Sequence, residues 1–199
     1  MPKVLRRTDA RIIASVVLVM VLALTWSRDT LAVFTDSDAV GANTFTAATI
    51  SLTTSPTTAL ITYSNMNPGD SITNPITVTN AGNSQLRYAV SSSATNTDTK
   101  GLKDQLVLTI KTVDVTTPGV PCDNFDGTQL YTGDLDSTAG KLVGDNTQGS
   151  QAGDRSLNAA ANEILCFRAA LPLATANAFQ AATTTATFTF DSEQTANNP

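Results

Sequence analysis

The 199-residue chain contains no histidine. That absence excludes every His-based zinc site, His-Glu-x-x-His included, and every Ser-His-Asp or Cys-His catalytic arrangement. Cysteine is nearly as scarce: Cys122 and Cys166 are the only two, and two thiols without histidine make an incomplete metal site. Charged residues are only 15% of the chain. Five of the twelve bases and two of the seventeen acids precede Val33, so the remainder holds 7 bases against 15 acids, net −8 compared with −5 for the whole. No basic face is available to nucleic acid or to an anionic lipid surface, and neither is expected as a partner. Amphipathic helical periodicity is also rare, while Thr, Ser, Asn and Ala dominate, a composition that favours strands with hydroxyl-bearing outer faces.

What is present begins with a leader. Lys3, Arg6, Arg7 and Arg11 precede an apolar run from Ile12 to Leu24 that holds no charge, followed by polar residues and the small-x-small-like Thr30-Leu31-Ala32. These are the three parts of a secretory signal peptide over residues 1–32, with cleavage expected between Ala32 and Val33. A retained anchor is the competing reading, but the apolar run is shorter than the ~20 residues a bilayer core requires, and Arg28 and Asp29 follow it closely. The mature chain is therefore expected to be secreted, touching membrane only through its uncleaved leader.

The mature chain reads as short strands between turn clusters. Asn43–Leu52 changes phase between Phe45/Ala47 and Ile50/Leu52, and Ser55-Pro56 ends it; Thr58–Ser64 offers Ile61 and Tyr63 on one face. Asn67-Pro-Gly-Asp70 is a turn, after which Ser71–Asn80 alternates with Ile72, Ile76 and Val78 in one phase. Pro75 places that strand at an edge or bulges it. Asn80-Ala-Gly-Asn83 then leads to Gln85–Val90, with Leu86, Tyr88 and Val90 inward, and the two strands are expected to form a hairpin. Gly101–Asp104 reads as a helical turn before a central strand carrying Leu106, Leu108 and Ile110. Residues 116–158 are poor in apolar residues and read as an elaborated loop with short hairpins at Gln129–Tyr131 and Lys141–Val143. Two further strands follow, one carrying Leu165, Phe167, Ala169 and Leu171, the other Ala186, Phe188 and Phe190 with Thr185, Thr187 and Thr189 outward. The fold class is all-β: a jelly-roll-like antiparallel sandwich over residues 43–199.

The long loop region needs a pin. In an exported chain the economical reading is a Cys122–Cys166 disulfide, with two buried free thiols as the alternative. An all-carboxylate calcium site among Asp123, Asp126, Asp134 and Asp136 is conceivable, yet Cys122 stands where an EF-hand loop needs its first Asp, and solvated turn acids are the better reading. Glu163 and Glu193 are too far apart in sequence to be read as a pair. No catalytic residue and no cofactor site is proposed.

Three groups of residues carry a family resemblance: Thr30–Asp38 with Asn43-Thr-Phe-Thr-Ala47; Asn67-Pro-Gly-Asp70, Val78-Thr-Asn-Ala-Gly82 and Tyr88; and Phe188-Thr-Phe-Asp-Ser-Glu-Gln194. Together they resemble the TasA/camelysin family of exported proteins processed by a SipW-type signal peptidase. The resemblance implies a subunit of extracellular matrix or biofilm fibres, a homopolymer able to meet other matrix or cell-wall components. It also implies that an N-terminal segment of one subunit completes a sheet of the next. The segment suited to this is Val33, Phe34, Thr35, Asp36, Ser37, Asp38, Ala39, Val40, Gly41 and Ala42, freed only by cleavage. Camelysin-type members also bear a metalloendopeptidase label, so a secreted protease is one alternative. A monomeric surface-adhesion module using the Thr-rich faces and the 116–158 loops is another.

Overall fold

The computed structural model describes residues 7–26, 46–113, 119–136 and 140–198. It divides into two units, Met1–Phe45 and Thr46–Pro199. In the first, Arg7–Trp26 forms helix α1, whose large apolar side chains between Ile12 and Val21 are exposed. Among the described residues no helix is long and apolar enough to cross a membrane. The expected cleavage point, Ala32 and Val33, and the segment Val33–Ala42 lie outside the described residues.

The second unit is an antiparallel β-sandwich. Its strands are β1 (Leu52–Ser55), β2 (Ser71–Asn80), β3 (Leu86–Ala94), β4 (Val107–Thr112), β5 (Gln129–Asp134), β6 (Lys141–Val143), β7 (Arg155–Leu157), β8 (Asn162–Ala170) and β9 (Ala186–Gln194). The wider sheet has the order β1-β2-β8-β4-β5. In the narrower one, β3 pairs along its whole length with β9. The short strands β6 and β7 also pair with β3, at Val90–Ser91 and Leu86–Tyr88 respectively, so they share its other edge. The chain passes repeatedly from one sheet to the other, as in a jelly-roll-like fold. Side chains from both meet in one core: Ile76, Val78, Leu108, Ile110, Leu165 and Phe167 from the wide sheet; Leu86, Tyr88, Val90, Leu142, Val143 and Leu157 from the narrow one. Period-2 alternation produces this directly, because every second side chain of a strand faces the same layer.

The expected hairpin of Ser71–Asn80 with Gln85–Val90 does not form. β2 pairs with β1 and β8, while β3 lies in the opposite sheet, so residues 81–85 arch across the sandwich. Asn80 explains the arch. Fully buried, its Nδ2 donates to the carbonyls of Ser84 (2.8 Å), Leu157 (3.1 Å) and Asn158 (3.1 Å), and its Oδ1 accepts from Gly82 N–H (2.9 Å). The amide thereby ties the backbone of the arch to that of the segment beside it, its own polar atoms fully hydrogen-bonded in the interior. Gly82 completes the device, because a Cβ there would lie 2.4 Å from Thr49 O. Residues 46–51 run against this arch without forming a strand, and only the last residue of the expected Asn43–Leu52 strand belongs to β1. Thr58–Ser64 is irregular too. It passes beside the part of β2 that β1 does not reach, where Asn74 Nδ2 donates to Leu60 O at 2.6 Å. Pro75 sits in that uncovered part, which is why an interior strand tolerates it.

Within 116–158 the fragments pair outward instead of forming local hairpins: β5 joins β4, and β6 joins β3. The third fragment, β7, carries no alternation that the sequence reading could use. The Cys122–Cys166 disulfide closes across 44 residues of separation and holds residues 119–128 on the outer face of the wide sheet. There Cys122, Cys166 and Phe125 form a second, small apolar cluster with Val113 and Ile164. Arg168 and Lys111 stack on the Phe125 ring at 3.8 and 4.8 Å, and Lys111 Nζ donates to Phe125 O at 3.0 Å.

Two outcomes test this account. Asn80→Ala should lower unfolding free energy by about 2–3 kcal/mol, the cost of leaving buried backbone groups unmet, read from urea melts. Cys122→Ser with Cys166→Ser should cost about 4 kcal/mol by loop-closure entropy while leaving the far-ultraviolet circular dichroism of the sandwich intact.

Candidate functional site: the open edge of the narrow sheet

A sheet edge presents unpaired N–H and C=O groups, and proteins commonly shorten, charge or cover such edges. β1 is four residues long and is followed by Pro56. β5 is six residues long, and its Tyr131 hydroxyl folds back to donate to Asp134 O at 2.8 Å over Gly133. β6 and β7 are three residues each. β9 is different. It is nine residues long, and among the described residues β3 is the one strand it pairs with.

The two halves of β9 are unlike. Asp191–Gln194 is occupied: Glu193 is ion-paired to Arg87 across the register at 2.5 Å, and it accepts from Gly149 N–H (3.0 Å) and Asn198 Nδ2 (2.8 Å). Arg87 first, then Asn198, holds the Glu193 carboxyl below its usual range. Asp191 accepts from Asn146 Nδ2 at 3.3 Å. Residues 145–148 thereby bound a cleft of about 300 Å³ over this end, lined also by Arg87, Asp154 and Glu193. Ala186–Phe190, by contrast, contains no charge, proline or glycine. Its inward rings are only partly covered. Phe188 meets Phe167 edge-on at 5.1 Å and Phe190 meets Tyr88 at 6.2 Å, yet both phenyls stay half-buried while Leu86, Tyr88 and Val90 on the neighbouring strand are buried.

The acids do not converge on a metal. Among the described residues no three His, Cys, Asp or Glu side chains are placed to hold an ion. Asp136 pairs with Lys103 at 3.1 Å, and Asp126 accepts from Asn124 at 2.7 Å. In the cleft, the Asp145 carboxyl is held down at about 2 by Lys141 and then Thr147, and Asp154 accepts from Asp145 and Gln151 N–H. Both cysteines are in the disulfide. Among the described residues the donor set does not fit a catalytic zinc, which takes three protein ligands of the His, Cys, Asp and Glu kind.

Glu163 and Glu193 sit in separate networks. Glu163 occupies an inward position on β8, where it accepts from the Tyr88 hydroxyl at 2.7 Å and pairs with Arg155, so one carboxylate ties β8 to β3 and β7 across the layers. Burial, and then the bond to Glu163, pushes the Tyr88 hydroxyl well above its ordinary 10.0. Sequence reading missed this triad because Glu163 falls in an apolar phase and Arg155 in a fragment without pattern. The folded protein keeps the Tyr88 proton where the unfolded chain releases it. Stability from this group is therefore complete below pH 10 and is lost as pH climbs further. Tyr88→Phe should cost about 1.5–3 kcal/mol near neutrality, and the mutant's urea midpoint should fall less steeply than wild type above pH 10.

Of the residues singled out from sequence, Cys122 and Cys166 are brought together, the acidic quartet is not brought into one site, and the segment Val33–Ala42 is outside the described residues. The open half of β9 was visible only as a clean Thr/Phe alternation, with nothing to mark it as an edge. No curated protein is significantly similar to the chain. The family model for camelysin metallo-endopeptidase matches residues 5–198, nearly the whole chain. With helix α1, the sandwich and its closing strand all inside that match, the chain belongs to the camelysin family.

Proposed function

We propose that this protein is an exported structural subunit of extracellular matrix or biofilm fibres, polymerising by strand addition once a SipW-type peptidase cuts between Ala32 and Val33. The observation that carries the reading is the uncharged, half-covered Ala186–Phe190 half of the β9 edge. A further strand laid on it gains main-chain hydrogen bonds and covers the inward phenyls at the same time. Family membership and the acidic, histidine-free mature chain are in keeping with it. The family's endopeptidase description supports a second reading. Against that reading stand the lack of histidine and the dispersal of the described acids, of which Asp126, Asp136 and Asp154 are engaged by separate donors.

The test is negative-stain electron microscopy of protein beginning at Val33 beside protein beginning at Asn43. Filaments from the first and monomers from the second are expected. Monomers from both, over a range of salt and pH, would remove the fibre reading and favour a monomeric adhesion module. Chelator-sensitive casein cleavage by either preparation would return the chain to the proteases.

A further inference from the structure

Arg168 and Lys111, on the outer face of the wide sheet, stand apart from the other bases of the sandwich. Arg87, Lys103, Lys141 and Arg155 each pair with a carboxylate, and Lys100 lies beside Asp98, to which its N–H donates. Among the described residues no acid pairs with Arg168 or Lys111, although both are partly buried. Asp123 and Asp126, on the loop that the disulfide clamps beside them, turn to Asn124. The Arg168 guanidinium has the Phe125 ring over one face at 3.8 Å, and its Nε donates to Thr73 Oγ1 at 2.8 Å. What is left is its Nη edge, and a guanidinium edge takes a carboxylate through two parallel hydrogen bonds. Burial pushes the Arg168 guanidinium down and no acid raises it in return, whereas at Arg155 the bond to Glu163 outweighs burial.

Register sets this cation in a row of hydroxyls. Thr73 lies opposite Arg168 on β2, Thr109 opposite it on β4, and Thr132 opposite Thr109 on β5. The row spans about 14 Å at the spacing of neighbouring strands. Lys111 sits diagonally from Arg168 on the same face, about 7–8 Å away. Thr73 Oγ1, accepting from Arg168, keeps its own proton to donate, and the Thr109–Thr132 hydroxyl pair at 3.2 Å keeps one. The apolar side chains Val113, Cys122, Phe125 and Ile164 are packed against one another, while Val107, one row away, and Val120, on the clamped loop, are exposed. Two valines are not the cluster of buried apolar and aromatic anchors on which a protein partner depends. The geometry points to a site for a carboxylate-bearing polysaccharide, its carboxylate on the Nη edge of Arg168 with Lys111 beside it and its hydroxyls on Thr73, Thr109 and Thr132. Two bases cannot hold a densely charged polymer to a mature chain of 7 bases and 15 acids. The fitting ligand therefore carries its carboxylates singly, between neutral sugars. The row lies on the sheet opposite β9, so the site stands whether or not strand addition occurs.

The probe is an oligosaccharide in which glucuronate alternates with a neutral sugar, titrated calorimetrically into the whole chain and into the chain beginning at Val33. Saturable binding is expected, and it should vanish when the carboxylates of the same oligosaccharide are reduced to alcohols. Arg168→Lys keeps the charge but not the fork and should weaken binding at least about tenfold. Lys111→Gln should weaken it several-fold, while Lys141→Gln, in the other sheet, should leave it unchanged. Circular dichroism and an intact disulfide check that each variant folds. Thr109→Val, which removes one hydroxyl of the row and leaves the Phe125 stack alone, carries the test with a several-fold loss should Arg168→Lys not fold. No saturable binding, equal binding of the reduced oligosaccharide, or undiminished binding by Arg168→Lys or Thr109→Val overturns the assignment. A glycerol phosphate oligomer that binds as tightly overturns the preference for carboxylate. A change in the sedimentation of the protein alone on Arg168→Glu makes the row a contact between copies instead. None of these readings needs filaments, so failure of the site and failure of the fibre reading are seen separately.

Discussion

The side chain on which the sandwich turns is that of Asn80. Its amide sits at the end of β2, where a hairpin would have turned back, and it bonds instead to the backbone of the arch and of the segment beside β7. Once β2 and β3 are in different layers, β2 takes β8 as its partner along nine residue pairs and β3 is free to take β9 along nine. The narrow sheet then has only short strands, β6 and β7, on its other side. A single interior amide thus decides which strand is left at the margin. The energetic argument runs the same way: a buried amide meeting several carbonyls satisfies groups whose isolation would cost about 1–3 kcal/mol each.

Two further devices brace this arrangement, and they differ in kind. The disulfide acts on the outside of the wide sheet and chiefly limits the unfolded chain, so the worth of the link depends on its 44-residue span. The Glu163 carboxylate acts inside, between layers, and its favourable bonds to Tyr88 and Arg155 are offset by the desolvation of the ions. Removing one partner of such a group is more damaging than never having had it. The disulfide therefore adds stability, while the Glu163 network mainly fixes how the two sheets are placed.

Legibility in the sequence divides along the same line. Alternation identified the inward sets on β3, β4, β8 and β9 correctly, because a half-buried strand displays its periodicity whatever its partners. It could not identify the partners. Leu86, Tyr88 and Val90 face the core equally well from a hairpin or from the opposite sheet, and only the buried amide of Asn80 separates the two; in sequence it looks like any turn asparagine. The Cys122–Cys166 link was legible because two cysteines in a chain read as exported leave few options. Segments 46–51 and 58–64 read as strands because their residues suit strands, but they are held by side-chain and arch contacts that no periodicity reports.

An edge strand is normally a liability, and the chain shows that it can protect edges. β5 is short and ends in an aspartate, β1 is followed by proline, and the acidic end of β9 is ion-paired and overlaid by a loop. Among the described residues, only Ala186–Phe190 is left without such protection. One threonine-to-lysine change would have charged it, so the lack of a charge there is informative. On the proposed reading, a chain with an addition-competent edge needs its complement withheld until assembly is wanted, and a complement released only by proteolysis would meet that need with no further regulatory part.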